Sequence, residues 1–203
     1  MKSISNTQLS WLKVIIFMAS VLPFIRLLIA VINNNLGANP IEFITRNTGD
    51  WALYFLFITL AMTPLRKLLQ WHWLIRLRRM LGLFTFFYAS LHFLCFFWFD
   101  HFFDIQTMWQ DVLKRPFIAV GFIAFMLLIP LAITSNHAAI KRLGGYTWQL
   151  LHRTVYLIAV LVVLHYVWMK AGKNDVKQPF IFAGILTLLL GMRLYWKLRK
   201  KPV

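Results

Sequence analysis

The chain has 203 residues, of which 60% are hydrophobic and 14% are charged. One soluble core cannot bury that much apolar surface, so we expect lipid to be the solvent of this protein. The formal net charge of +16 comes from basic residues beside apolar runs, where they are typical topology signals, and this disfavours nucleic-acid binding. The single cysteine, Cys95, lies inside an apolar run, which excludes a disulfide framework and a cysteine-based zinc or iron–sulfur site.

Six apolar runs are long enough to cross a bilayer, which requires about 20 apolar residues per helix. They cover residues 11–32, 51–69, 80–99, 117–134, 148–169 and 179–196. The sequence therefore predicts an all-α integral membrane protein whose six-helix transmembrane bundle forms one domain over residues 1–203. We expect Pro23 to kink the first helix if a neighbour satisfies the freed carbonyl. Tryptophans near span ends are interpreted as interfacial anchors: Trp11, Trp51, Trp148, Trp168 and Trp196.

The distribution of charges favours an orientation with the N- and C-termini in the cytoplasm. In that orientation fourteen lysines and arginines lie on the cytoplasmic side, including Lys2, Lys200 and Lys201. Only six lie on the outer side: Arg46, Lys114, Arg115, Lys170, Lys173 and Lys177. All six acidic residues fall on that outer side as well: Glu42, Asp50, Asp100, Asp104, Asp111 and Asp175.

Three of the six histidines lie inside the predicted spans and are the candidate functional residues. His92 is in the third span, and His152 and His165 share the fifth. At 1.5 Å per residue, His92 lies roughly 18 Å from the inner surface and His165 about 20 Å beyond His152, so His92 and His165 are at similar depth. A buried imidazole in hydrocarbon needs a partner. Two imidazoles at matched depth can clamp a haem iron; alternatively, each histidine donates to a carbonyl or hydroxyl of a neighbouring helix.

On an ideal helix the two histidines of the fifth span would point in different directions around the helix axis. Thirteen residues fall about 140° short of whole turns, so His152 and His165 need not face the same interior column. The other three histidines, His72, His101 and His137, lie in predicted loops near polar neighbours. We expect solvated surface positions for them.

Several long segments resemble the MsrQ family, formerly called YedZ. They are GANPIEFITRNTGDWALYFL (37–56), TPLRKLL (63–69), RRMLGLFTFFYASLHF (78–93), and TSN with KRLGGYTWQLLHRTVYLIAVLVVLHYVW (134–136 and 141–168). The resemblance covers most of the chain. Members of that family are haem-binding inner-membrane subunits of the bacterial periplasmic methionine-sulfoxide reductase system. They are similar to the transmembrane part of ferric reductases and NADPH oxidases.

The resemblance implies an electron-transfer subunit whose catalytic step lies on a partner chain. Electrons would come from the quinone pool or a cytoplasmic flavin reductase and pass to MsrP, a periplasmic molybdopterin methionine-sulfoxide reductase that repairs oxidised periplasmic proteins. The family's histidine motifs match at His92, His152 and His165. This implies haem b on His92 and His165. A second haem on His152 and an FMN group are left open, and no local FMN motif is visible.

Three arginines near the predicted inner ends of the spans are candidates for binding anionic groups. Arg78 and Arg79 begin the third span and Arg153 follows His152, where they could neutralise haem propionates or a flavin phosphate. They could equally be topology charges. In two-haem relatives the opposing inner histidine lies about 14 residues before the position of His92, where this chain has Arg78. Guanidinium is a poor iron ligand because it offers no lone pair.

Two other functions compete with this interpretation. A stand-alone ferric reductase or oxidase would need its own nucleotide-binding domain, and the short stretches between spans contain no alternation of strands and helices that could build one. A haem-free transporter or scaffold is the other alternative. Transporters typically carry acidic residues near the midplane, whereas all six acids here fall in outer segments.

Overall fold

The computed structural model describes residues 4–172 and 174–199, and all regular structure within these ranges is helical. The α-helices are α1 Asn6–Ile32, α2 Pro40–Leu69, α3 Arg78–Cys95, α4 Ile105–Lys114, α5 Pro116–Ile133, α6 His137–Leu143, α7 Gly145–His152, α8 Val155–Ala171 and α9 Lys177–Leu198. A 3₁₀ segment, His72–Leu77, leads into α3, and a π-helical turn, Phe96–Asp100, follows it. The predicted all-α fold is confirmed. Four lysines of the orientation argument lie outside the described residues: Lys2, Lys173, Lys200 and Lys201.

Six helical stretches in the described part of the chain are long and apolar enough to cross a membrane, which confirms the predicted number. They are Asn6–Ile32, Pro40–Leu69, His72–Asp100, Pro116–Ile133, Gly145–Ala171 and Lys177–Leu198. The second helix begins eleven residues earlier than predicted. Asn39 caps it, because its side-chain oxygen accepts the Glu42 backbone N–H at 3.2 Å, and Pro40 occupies the first turn, where no N–H is needed.

The chain forms two compact units, one up to Asp104 and one from Ile105 onward. In the first unit α2 packs along α3. Its core consists of the buried residues Leu9, Phe55, Met62, Leu74, Leu77, Leu81, Phe84 and Tyr88. Trp51, expected at the membrane interface, instead packs against this core.

Helix α1 joins the first unit through aromatic contacts and one buried hydrogen bond. The Tyr88 hydroxyl donates to the Ser20 carbonyl oxygen at 2.7 Å, and the rings of Phe17 and Phe84 meet edge to face at 5.4 Å. Pro23 has no N–H, so the carbonyl that it leaves without a helical donor is that of Ala19, four residues earlier. The Tyr88 bond is made to the next carbonyl along the chain and ties α3 to this turn of α1.

In the second unit α5 packs along α8, and α8 also contacts α9. The short helix α4 rests on α5 and buries Met108 and Val112. Lys170, which is 9% exposed near the end of α8, forms a 2.6 Å ion pair with Asp175. This pair ties the end of α8 to the segment before α9.

Candidate functional site

His92 is held by a backbone carbonyl of α2. Its Nδ1 atom lies 2.9 Å from the Thr45 carbonyl oxygen. A carbonyl oxygen can only accept, so the imidazole carries its proton on Nδ1 and the lone pair on Nε2. The Thr48 hydroxyl lies 2.9 Å from the Ile44 carbonyl oxygen and 3.0 Å from that of Thr45, so its one proton is shared between these two acceptors. Gly49 lies against the ring, and a Cβ at this position would be 3.1 Å from Nδ1 and Cε1 of His92.

His165 has the same kind of partner in the second unit. Its Nδ1 atom lies 2.7 Å from the Phe117 carbonyl oxygen of α5, so the proton is again on Nδ1. Gly121 lies against this ring, and a Cβ there would be 2.7 Å from Nδ1 of His165 and 2.9 Å from Cε1. The Phe117 ring flanks the imidazole, with 6.2 Å between ring centroids.

His152 has a different environment. Its Nε2 atom lies 3.0 Å from the Thr134 hydroxyl oxygen, and that hydroxyl donates its only proton to the Pro130 carbonyl oxygen at 2.6 Å. The hydroxyl must therefore accept from His152, which places the imidazole proton on Nε2. Trp148 stacks on the imidazole with 4.0 Å between centroids and donates its indole N–H to the Thr134 carbonyl oxygen at 2.9 Å.

The ideal-helix estimate for the angle between His152 and His165 assumed one continuous helix, and the fifth span is not one. Helix α7 ends at His152 and α8 begins at Val155. Between them Arg153 and Thr154 have ψ angles of −19° and −16°, and the Thr154 N–H donates three residues back to Leu151 at 3.1 Å. This tighter, 3₁₀-type turn changes the rotation between the two histidines.

The three intramembrane histidines are half-buried, and each is hydrogen-bonded to a neighbouring helix. His92 belongs to the first unit and the other two belong to the second. His72 and His137 are exposed, as expected. The expectation was wrong for His101, which is half-buried with its ring 4.6 Å from that of Phe96.

The three candidate arginines begin α3 or follow α7. Arg78 is half-buried, whereas Arg79 and Arg153 are exposed. Among the described residues none of these three guanidinium groups forms an ion pair with an acidic side chain. Their charge is therefore not neutralised by the protein's own carboxylates in the part of the chain that the structure describes.

Sequence reasoning missed most of the partners of the histidines. Thr134 and the two glycines gave no signal in hydropathy, and Trp148 was interpreted as an interfacial anchor. The structure instead places the Trp148 ring on His152. Each glycine lies in the N-terminal part of its helix, and only the similar spacing from Gly49 to His92 and from Gly121 to His165 could have pointed to the two glycines.

The architecture and the histidine pattern define a membrane protein of the ferric reductase type. The family model for the ferric reductase like transmembrane component matches residues 48–163. Several relatives carry the name protein-methionine-sulfoxide reductase heme-binding subunit MsrQ. That of Herminiimonas arsenicoxydans is 64% identical over 197 residues, which cover 97% of this chain and 90% of the relative. That of Ralstonia nicotianae is 51% identical over 184 residues, covering 91% and 85%.

The chain therefore belongs to the MsrQ family of ferric reductase-like transmembrane proteins. No solved structure matches it significantly.

The donor chemistry of two histidines fits the haem named in these relatives. A histidine that binds a metal typically donates its other ring N–H to a carbonyl or carboxylate, which fixes the tautomer and raises the basicity of the ligating nitrogen. His92 and His165 have this arrangement, since both donate Nδ1–H to a backbone carbonyl. His152 has the opposite tautomer, with Nε2–H directed at Thr134.

Proposed function

We propose that this protein is a transmembrane b-type cytochrome that passes electrons across the bacterial inner membrane to a periplasmic molybdopterin methionine-sulfoxide reductase, MsrP. The observation that carries the proposal is the matching tautomer of His92 and His165, each with Nδ1–H on a backbone carbonyl. The MsrQ relatives, named as heme-binding subunits, support it. In this proposal reduction of methionine sulfoxide takes place on the partner chain.

In this proposal His92 and His165 would hold the haem iron, each through Nε2. Haem b held by two imidazoles would supply one-electron transfer and would have no iron position open to oxygen. The protein's task is then to hold the two rings at fixed angles. The Thr45 and Phe117 carbonyls do this from within their own units, because a hydrogen-bonded Nδ1–H prevents the ring from flipping.

His152 is proposed to belong to an inner electron-entry site. Its Nε2–H is engaged by Thr134 and its face by Trp148. Ligation of a second haem through Nε2 would require exchange of that hydrogen bond and loss of the Nε2 proton. The stacked Trp148–His152 pair instead offers a flat surface and a polar edge suited to a flavin such as FMN or to a quinone headgroup.

The proposed donor is the quinone pool or a cytoplasmic flavin reductase. In the proposed orientation both termini are cytoplasmic, and Arg78, Arg79 and Arg153 lie on the inner side, available to haem propionates or to a flavin phosphate. In the same proposed orientation all six acidic residues lie on the outer side. This charge contrast suits an anionic donor inside and a partner with basic residues outside.

The test is haem content per chain in protein purified with detergent. We expect the wild type to show a reducible Soret and alpha band and about one tightly bound haem by pyridine haemochrome assay. His92→Ala and His165→Ala should each lose most of it, because the iron keeps one protein ligand. His72→Ala changes an exposed histidine and should retain full haem.

Three outcomes would contradict the proposal. A wild type without haem would exclude a cytochrome. A full, unshifted low-spin spectrum in either variant would show that the assigned ligand pair is wrong. Two stoichiometric bis-imidazole haems by electron paramagnetic resonance would show that His152 is a ligand.

A further inference from the structure

The two candidate ligands are held by the same local arrangement in separate units. In each case a histidine donates Nδ1–H to a helical carbonyl, and a glycine lies four residues after that carbonyl. The glycines are Gly49 and Gly121, and a Cβ at either position would meet the ring atoms of the corresponding histidine, His92 or His165. The accepting carbonyl precedes its histidine by 47 residues in the first unit and by 48 in the second.

Helix geometry explains why the residue at this position must be small. Each Cα–Cβ bond of an α-helix tilts toward the N-terminus, so a side chain covers the turn before it. A side chain four residues after a carbonyl therefore shields that oxygen from donors on other helices. Glycine leaves the oxygen accessible, and here the imidazole occupies the space that a Cβ would take.

Other helical glycines of the chain do not have this role. A Cβ at Gly82 on α3 would meet its nearest neighbour, Thr59 Cγ2, at 3.8 Å, which is ordinary contact. A Cβ at Gly184 on α9 would meet no atom within 4 Å among the described residues. Close approach to a histidine ring is thus a property of Gly49 and Gly121.

We infer that Gly49 and Gly121 are positioning residues. Each leaves accessible the carbonyl oxygen that fixes the tautomer and angle of a histidine, and thereby directs the Nε2 atom of that histidine toward the iron. This inference rests on the proposed function for its consequence at haem, but the tautomer itself is a property of the protein alone. Glycine has no side chain that could supply a ligand, so both residues would act through their histidines.

Gly121 is the tighter of the two positions. Alanine there would place Cβ 2.7 Å from His165 Nδ1, so the ring must swing away from the Phe117 carbonyl. At Gly49 the same change gives 3.1 Å, which a shift of a few tenths of an ångström relieves. Alanine is the better helix former, so helix propensity alone would stabilise both variants. A loss in either must come from the histidine.

The experiment compares Gly121→Ala and Gly49→Ala with the control variants Gly82→Ala and Gly184→Ala. The first readout is the imidazole ¹⁵N spectrum of haem-free protein, which distinguishes Nδ1–H from Nε2–H. The second is haem affinity, with the midpoint potential and low-spin resonance of the haem that remains. Helical circular dichroism and a monodisperse chromatographic peak establish that each variant is folded.

We expect Gly121→Ala to lose the Nδ1–H signal of His165 and to bind haem about ten- to a hundredfold more weakly, as loss of an outer-shell partner of a metal ligand does. Gly49→Ala should lose less haem affinity than Gly121→Ala, but the midpoint potential and the low-spin signal of its haem should be shifted. The two control variants should match the wild type. If Gly121→Ala does not fold, Gly49→Ala still tests the inference.

Retention of both Nδ1–H signals, full haem and an unchanged potential in the folded Gly49 and Gly121 variants would overturn the inference. So would equal losses in the control variants. A wild type that binds no haem would instead contradict the proposed function, and the ¹⁵N readout would still decide the role of the glycines.

Discussion

Valine in place of Thr134 tests the assignment of His152 to electron entry. The substitution replaces a hydroxyl with a methyl group of similar size. It removes the hydroxyl group, which accepts the His152 Nε2–H at 3.0 Å and donates its own proton to the Pro130 carbonyl oxygen at 2.6 Å. The Trp148 indole bond to the backbone carbonyl of residue 134 is retained, because it does not involve the side chain.

The size of the effect follows from one hydrogen bond and a close contact. Hydrogen bonds between membrane helices contribute about 0.6 kcal/mol on average and roughly 1.7 kcal/mol at most. A methyl carbon also needs about 3.5 Å or more from the ring nitrogen, so the ring must withdraw by about half an ångström from its present position. If the positioned imidazole is needed for electron entry, reduction should slow by roughly threefold to roughly twentyfold.

The assay is haem reduction in nanodiscs, followed at the alpha band. A reduced quinol and NADPH with a flavin reductase are used as separate donors, and dithionite gives the total reducible haem. Thr187→Val on α9 is the matched control, because that hydroxyl donates within its own helix, to the Ala183 carbonyl oxygen. Slower reduction by one donor in Thr134→Val, with unchanged total haem, is the expected result.

A rise in haem per chain would refute this reasoning. If iron and Thr134 compete for His152 Nε2, removal of the hydroxyl should favour iron, and a second low-spin signal should appear. Unchanged reduction by both donors would show that the hydrogen-bonded arrangement of His152 has no part in electron entry.

Three further predictions concern stability and docking. Tyr88→Phe should lower the free energy of unfolding in SDS titrations by about 0.6 to 1.7 kcal/mol because α1 loses a buried hydrogen bond, whereas Tyr146→Phe, at a 79% exposed residue, should have no measurable effect. Asp175→Asn should lower the thermal midpoint more than Lys170→Met, because the first leaves a buried ammonium without its carboxylate and the second leaves a half-exposed carboxylate; equal shifts would contradict this. Asp104→Lys, at an exposed residue on the proposed outer side, should slow electron delivery to the proposed periplasmic acceptor, and added salt should reduce the difference from wild type. An unchanged rate at low salt would indicate another docking surface.

The six spans could be predicted from the sequence because hydrophobicity over about 20 residues is a local property. Their ends were less accurate. The second helix extends to Pro40 because of capping by Asn39, and this polar first turn lowers the hydropathy that the prediction used. Likewise, the relative rotation of His152 and His165 could not be computed from spacing, since two residues between α7 and α8 leave the α-helical geometry.

The candidate histidines were identified because ionisable residues are rare within apolar spans. Their partners were not, because a bond between His165 and a carbonyl 48 residues earlier depends on how two helices pack. Glycine adds to the difficulty. Gly121 acts through the absence of a side chain, and its effect becomes visible only when the neighbouring ring is in place.

The hydrogen bonds of His92 and His165 join residues that are only 47 and 48 positions apart, and this separation affects how the protein is assembled during synthesis. Thr45 and His92 are both present once residues up to 92 have been synthesised. The bond between Phe117 and His165 likewise requires no residue beyond 165. Each imidazole can therefore adopt its tautomer as soon as its own helix pair has left the translocon. If His92 and His165 hold haem as proposed, the cofactor then meets two imidazoles that their own carbonyl partners have already oriented.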